Sequence, residues 1–429
     1  MGMYAYLDDG KNASTAIELI FPEDATELVV RGAQWKTSES TEIVEFSTAA
    51  VHGERSNLDP TFVEWLDGRN NDRPLVVIYS TSPTMDHPTL GLRPNRLARE
   101  YEAMGYDVVF LPFGRVEPGE AHYSDGIIQF ERSHLMPIVE EISRHDALVR
   151  RTVFVCSSFP DIRAATAIDY LNLRGVRTVY EVRDEMEEFN RVGYSKWYSA
   201  ILEMRVVRAV DSVVCVSPRL AEKMRVIGGH SVDVRVVPNG VAAATVESGG
   251  PLRTHEAWTR RESQVPTVGY IGHLTPSWFD WPTLIAVARR LPGVRFEIIG
   301  HGIPGGLELP ANIEHLGPRT HSECIEYAKY WRAGLIPFKP SGLTRAVDPN
   351  KIYEYLSFGL RTVTVAMGSV ESAPSTKVTA SIQEMADAIA WACESPMTDT
   401  ELREIQKALT EMTWEKRAEQ MTSILGISK

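Results

Sequence analysis

The sequence predicts an α/β protein built of two doubly wound domains, on three observations. Strand-length apolar runs alternate with helix-length amphipathic segments from Pro74 onward, the pattern of a parallel sheet with helices on both faces. The alternation stops at a Pro238-Asn239-Gly240 turn and restarts at Thr267. A chain of 429 residues, 43% hydrophobic and 24% charged, is long enough for two cores rather than one.

The elements follow in order. Residues 1–70 stand apart as an acidic extension, with 5 Lys and Arg against 13 Asp and Glu. Strand-length pieces at 16–20, 27–31 and 42–46 predict a small β-rich appendage suited to self-association or partner docking. Residues 71–241 predict the first domain, with strands at 75–80, 107–111, 152–156, 177–182, 212–216 and 234–237. Between them the pattern places helices near 94–104, 127–145, 162–173, 196–210 and 218–226. Asn239-Gly240 suits left-handed backbone at a tight turn. Residues 242–265 lack periodicity and are expected to be a linker. Residues 266–410 predict the second domain, with strands at 267–272, 295–299, 313–316, 333–337 and 361–365. Three helices close the chain, the last of them, 411–429, opening on Trp414.

Composition narrows the function classes. A net charge of −12 argues against a general nucleic-acid binder. No apolar run reaches the roughly 18 residues of a membrane helix, so the expected site of action is cytoplasmic. Cys156, Cys215, Cys324 and Cys393 lie far apart without metal-ligand spacing and are expected to be buried thiols. There is no Asp-x-Asp at a strand end in the second half, and no phosphate-loop or zinc spacing.

The run Asp348-Pro349-Asn350-Lys351-Ile352-Tyr353-Glu354-Tyr355-Leu356-Ser357-Phe358-Gly359 carries the chemistry. Lys351 and Glu354 are three apart on one helix face. With Asp348 as N-cap and Pro349 at the first turn, the helix start offers N–H groups and a positive dipole end to a diphosphate. Arg345 adds a second cation, and Glu354 can accept from a pair of sugar hydroxyls. Phosphate plus sugar points to a nucleotide-sugar. The alternative is an amphipathic helix whose Lys–Glu pair is solvated surface. Upstream, Gly272-His273 ends the first strand of the second domain, where a missing side chain lets phosphates approach the backbone. Gly300-His301-Gly302 ends the next strand.

This run resembles the donor-binding helix of glycosyltransferase family 4 and its relatives, Lys-x-x-Glu-Tyr-Leu followed by a small residue and Gly. Gly272-His273-Leu274, Leu316-Gly317-Pro318-Arg319, Ile336-Pro337-Phe338, Val213-Val214-Cys215-Val216-Ser217 and Pro238-Asn239-Gly240-Val241 resemble further family segments. The resemblance covers roughly residues 75–429 and implies a GT-B fold, with two Rossmann-like domains facing a crevice. It implies a metal-independent hexosyltransferase, retaining, with a nucleoside diphosphate-sugar as donor and no cofactor beyond it. The acceptor would be a glycan or a lipid-linked glycan, in bacterial surface polysaccharide or glycoconjugate synthesis, and the enzyme cytoplasmic or peripheral at the inner face of the membrane.

The resemblance assigns donor binding to Gly272, His273, Gly300, His301, Arg319, Arg345, Lys351 and Glu354, and helix packing to Trp278, Phe279 and Asp280. For catalysis it points to Asp86 and His87, in the loop after the first strand, and to Asp184, with Glu203 on the following helix. As a general base, Asp86, Asp125 and Asp184 stand open, and the 122–126 loop is a candidate for the acceptor side. One departure stands out: where many retaining members carry a Glu eight positions before Glu354, this chain has Ala346. Hence a catalytically silent GT-B subunit supporting a partner transferase, or a GT-B epimerase, remains as an alternative. The Tyr194–Arg208 stretch mixes aromatic and basic residues and is read either as a membrane-resting helix or as a core helix with a basic outer face.

Overall fold

The computed structural model describes residues 59–69, 73–87, 91–117, 119–230, 232–368 and 370–426. The strands expected at 16–20, 27–31 and 42–46 lie outside these residues.

The first domain is a seven-stranded, all-parallel sheet of order β3-β2-β1-β4-β5-β6-β7. Its strands are β1 (Leu75–Ser80), β2 (Asp107–Leu111), β3 (Ile127–Gln129), β4 (Thr152–Ser157), β5 (Arg177–Val182), β6 (Ser212–Cys215) and β7 (Asp233–Val236). The helices are α1 (Pro60–Asp67), α2 (Arg93–Ala103), α3 (Leu135–Ser143), α4 (Asp146–Arg151), α5 (Ile162–Arg174), α6 (Met186–Arg191), α7 (Ala200–Ala209) and α8 (Pro218–Gly228). The inner strands are buried on both faces, which is why they read as unbroken apolar runs.

The second domain is a six-stranded parallel sheet of order β10-β9-β8-β11-β12-β13. Its strands are β8 (Thr267–Ile271), β9 (Arg295–Ile299), β10 (Ile313–Gly317), β11 (Ala333–Ile336), β12 (Arg361–Val365) and β13 (Thr376–Thr379). Its helices are α9 (Ala243–Ser248), α10 (His255–Glu262), α11 (Trp281–Arg290), α12 (His321–Ala328), α13 (Gly342–Ala346), α14 (Asn350–Ser357), α15 (Ile382–Glu394) and α16 (Asp399–Glu411), with α17 (Trp414–Leu425) at the C-terminus. Both domains belong to one compact unit, Asn57–Lys429. In each sheet the strand order reverses once, at β1/β4 and at β8/β11, and a crevice outside the carboxyl ends of the strands opens there.

Four expectations change. Residues 60–67 belong to the first domain rather than to an extension: Asp59 caps α1 by accepting from Thr61 N (2.9 Å), and Phe62 and Trp65 are buried in the first core. Ile127–Gln129 is an edge strand rather than the start of a long helix, because its three residues pair with β2. The expected linker holds α9 and α10, and Trp258 and Arg261 are buried in the second domain. Gly240 has no positive φ; a side chain is excluded because a Cβ would lie 2.9 Å from Met412 O.

Two chain segments cross between the domains side by side. Val241 N donates to Met412 O (2.9 Å), and Trp414 N to Val241 O (3.0 Å). Beyond the crossing, α17 packs on α2, burying Trp414, Ala418, Met421 and Leu425 beside Leu97 and Tyr101 in a core of the first domain.

Candidate functional site

Three strand ends of the second domain are laced into one floor. Gly272 N donates to Ile299 O (2.9 Å), Leu274 N to His301 O (2.9 Å) and Gly300 N to Gly317 O (3.0 Å). The backbones approach so closely that a Cβ on Gly300 would lie 1.7 Å from Gly272 O. Gly272 (φ +143°) and Gly300 (φ +149°) also hold conformations that side chains disfavour.

Over this floor stands Lys351, in the first turn of α14. A Cβ on Gly272 would lie 2.3 Å from Lys351 Cε and 2.7 Å from Nζ, so the lysine occupies the space that glycine leaves. Its ammonium sits 5.4 Å from the Tyr270 ring centre and 5.6 Å from that of Phe338, two cation–π contacts that hold it on the floor. Burial lowers its pKa, opposed by Glu354. Glu354 is half-buried, and burial raises its pKa against Lys351, His321 and Arg96. Lys351 and Glu354 make no side-chain hydrogen bond or ion pair among the described residues, so both stand ready for a ligand.

His273 and His301 meet edge to face with ring centres 4.1 Å apart, and Thr275 holds His273 Nδ1 at 2.6 Å. Burial, His301 and Lys351 keep the His273 pKa below its usual value, so the ring is neutral near pH 7 and can donate one hydrogen bond without adding charge. Arg345 ends α13 and is exposed; Arg319 is also exposed, and its Nη1 donates to Pro318 O (3.0 Å). Trp278 packs against the second-domain core and also reaches the first domain, where Phe189 and Tyr194 lie 6.3 and 5.9 Å from its ring.

The expected N-cap differs. Pro349 occupies that position, and Asp348 is buried, accepting from Asn239 N (2.6 Å) and from Tyr353 Oη (2.8 Å). Asn239 Nδ2 also donates to Asp348 O (2.8 Å). The start of α14 is thus fastened to the crossing segment, whose Pro238 O accepts from Arg93 (2.6 Å) and whose Asn239 O accepts from Arg417 (2.8 Å). Arg93 in turn pairs with buried Glu181 (2.8 Å). Ala346 is 1% exposed and packs with the first-domain core, while its carbonyl accepts from Ser217 Oγ (2.7 Å). Where many relatives carry Glu, this chain has an apolar contact between domains.

The catalytic candidates come from separate elements of the first domain. Asp86 is exposed, and Gln129 at the end of β3 donates to its carboxylate (2.5 Å). Asp184 follows β5, on the other side of β1; burial raises its pKa, opposed by neighbouring Arg183. His87 is exposed in the loop after β1. Asp125 precedes β3 and so lies at the amino end of the sheet, away from the crevice, with its carbonyl taken by Trp65 Nε1 (3.3 Å). Glu203 is buried and holds the hydroxyls of Tyr180 and Tyr198 (both 2.8 Å), a packing role rather than an acceptor contact.

Comparison with known proteins agrees with this fold. Residues 89–240 match the family model of the glycosyl transferase 4-like domain. Anabaena HepE, solved in complex with UDP, superposes with a TM-score of 0.58 at 16% identity, covering 82% of this chain and 99% of that one. The chain has the GT-B fold. Sucrose-phosphate synthase from Thermosynechococcus elongatus shares the GT-B arrangement, with a TM-score of 0.57 at 15% identity over 82% of this chain and 98% of that one. A protein of Bacillus subtilis (strain 168) named for a glycosyltransferase of teichuronic acid biosynthesis, TuaH, is 27% identical over 166 residues, 37% of this chain. The match spans 41% of that relative's length. In the GT-B frame, Gly272 after β8 and Lys351 beyond β11 flank the point where the strand order of the second sheet reverses.

Gly272→Ala is expected to push the Lys351 amine off the floor and to weaken nucleotide binding. Titration calorimetry of the variant checks this.

Proposed function

We propose that this protein transfers a sugar from a nucleoside diphosphate-sugar to a glycan or lipid-linked acceptor in bacterial surface polysaccharide or glycoconjugate synthesis, with retention at the anomeric carbon. One observation carries the proposal: Lys351 and Glu354, without a hydrogen bond or ion pair to their side chains among the described residues, stand together at the start of α14, above a glycine floor at the switch point of the second sheet. Lys351 and the first-turn N–H groups meet the diphosphate, and they stabilise it as negative charge develops on the leaving group. Glu354 takes the ribose hydroxyls. No cofactor beyond the donor, and no metal, is part of the proposal. UDP bound to HepE and the name given to the Bacillus relative support this donor class and this pathway class.

The acceptor would enter from the first domain, past the loop after β1 with Asp86 and His87 and past Asp184. Tyr194, Ile201 and Met204 are exposed at and beside α7, near exposed Lys196, a face suited to resting on the membrane that bears a lipid-linked acceptor. Among the described residues no helix is long and apolar enough to cross a membrane.

Thermal-shift titration with UDP, GDP, dTDP and ADP and their sugar conjugates tests the donor site. One base is expected to stabilise the parent. Lys351→Ala and Glu354→Ala are each expected to weaken that binding about tenfold to a hundredfold, the loss of one charge-assisted contact. Parent-like affinity in both variants refutes the site. Conversion of the sugar nucleotide without an acceptor would identify an epimerase instead, and the anomeric configuration of the product tests retention.

A further inference from the structure

Three arginines follow one face of α2 at positions 93, 96 and 99, and their engagement differs. Arg93 is spent on Glu181 and Pro238 O. Arg99 donates to Tyr123 Oη (3.0 Å) and to Met85 O (3.1 Å), and it lies 5.4 Å from the Tyr123 ring centre. The side chain of Arg96, between them, has no hydrogen bond, ion pair or ring contact among the described residues, although it is half-buried. Its Nε lies 3.4 Å from where a Cβ of Gly91 would stand, so the glycine leaves room for the guanidinium beside the loop after β1. Burial and Arg99 disfavour its charge, and Glu354 of the second domain, across the crevice, and Glu100 on the next turn of α2 favour it. A desolvated guanidinium without a counter-ion is costly, and it is kept where an anion completes it. Neither carboxylate does so: Glu100 and Glu354 both stay outside ion-pair distance, and Glu354 is claimed by the sugar hydroxyls in the donor-site proposal.

We propose that Arg96 is the first domain's contact to the donor's diphosphate, reaching it from the side of the crevice opposite Lys351. The inference rests on the donor-site proposal above and adds a residue to it. A diphosphate brings more than one negative charge, which Lys351 and one helix start do not balance; Arg345 is exposed, whereas a half-buried planar guanidinium can hold two phosphate oxygens at once.

The test is titration calorimetry on the full chain with UDP, GDP, dTDP and ADP, and with the matching nucleosides, for the parent, Arg96→Ala, Arg96→Lys and Lys351→Ala. For the base the parent prefers, Arg96→Ala is expected to weaken diphosphate binding about tenfold or more and to leave nucleoside binding unchanged. Arg96→Lys should recover part of the loss, because it restores charge without the planar fork. Thermal melting without ligand should be no lower than the parent's, since no side-chain hydrogen bond is removed and a desolvated charge is relieved. Diphosphate affinity of Arg96→Ala within twofold of the parent overturns the inference while leaving the Lys351 site standing. A parent that binds no nucleoside diphosphate overturns both. An equal loss of nucleoside and diphosphate binding also overturns it, because the arginine would then be shaping the pocket.

Discussion

Gly300→Ala is expected to destabilise the second domain by more than about 4 kcal/mol and to abolish nucleotide binding. The new Cβ would stand 1.7 Å from Gly272 O, and that oxygen belongs to backbone, which cannot swing aside as a side-chain end can. To make room, the ends of β8 and β9 must part by more than about 1 Å, into the steeply repulsive range of contact distances. Parting them breaks the bonds from Gly272 N to Ile299 O and from Gly300 N to Gly317 O, and moves the floor from under Lys351. The φ of +149° adds strain of its own. Gly293→Ala is the control: no atom lies within 4 Å of its added Cβ, and no positive φ is at stake. Denaturant unfolding and nucleotide titration of the two variants measure the contrast. A Gly300→Ala protein as stable as the Gly293→Ala protein would refute the close approach of the two strand ends.

Residues that act through their own segment were legible in the sequence, and residues that act through distant partners were not. Lys351 and Glu354 share one helix turn, and Gly272 and Gly300 end strongly apolar strands, so spacing placed them on their elements, while the donor role came from the family resemblance. β1 and β2 were placed to the residue because buried parallel strands read as near-continuous apolar runs. β13 (Thr376–Thr379) is a polar edge strand and gave no such run. β3 merged with the helix after it, because Ile127-Ile128 continues into apolar residues at helical spacing. α10 was hidden by its many charged residues. Its signal was Thr254, an N-cap whose hydroxyl takes Ala257 N (3.1 Å), ahead of Trp258 and Arg261 spaced three apart. Arg261 then caps α14 from outside, donating to Phe358 O (2.8 Å), a link no local pattern reveals.

Ala346 shows the same limit from the other side. By spacing it stands where relatives place a carboxylate, and on that ground a silent subunit remained open. Its surroundings give a packing reason for the alanine. The position is sealed against the first-domain core, where an ionised Glu would be buried among apolar side chains at a cost of several kcal/mol. The alanine therefore fits how the two domains meet here, and it leaves the donor-site proposal at Lys351 and Glu354 untouched.

Asp348→Ala should cost about 2–5 kcal/mol and weaken nucleotide binding without touching any ligand, whereas Asp348→Asn should retain most of both. The alanine leaves the Asn239 N–H and the Tyr353 hydroxyl without an acceptor in a site that is 3% exposed, and each orphan costs about 1–3 kcal/mol. It also unties the start of α14 from the crossing segment, so Lys351 loses its fixed position. The asparagine carbonyl can accept from both donors. The pH dependence separates it from the parent. Burial raises the Asp348 pKa, while the bonds from Asn239 and Tyr353 and the charges of Arg93 and Arg417 oppose the rise. Since the folded value lies above the unfolded one, this group's contribution is fully present below the ordinary carboxylate range. It is lost as pH rises through the raised folded value, because the folded state then has to hold a buried charge. The parent should therefore lose stability relative to Asp348→Asn as pH climbs from the acid side through that window. Above the window the difference should level off. Denaturant midpoints of the two proteins across a pH series read it directly, and a difference that stays flat from acid to neutral pH would show that Asp348 sits in no such desolvated site.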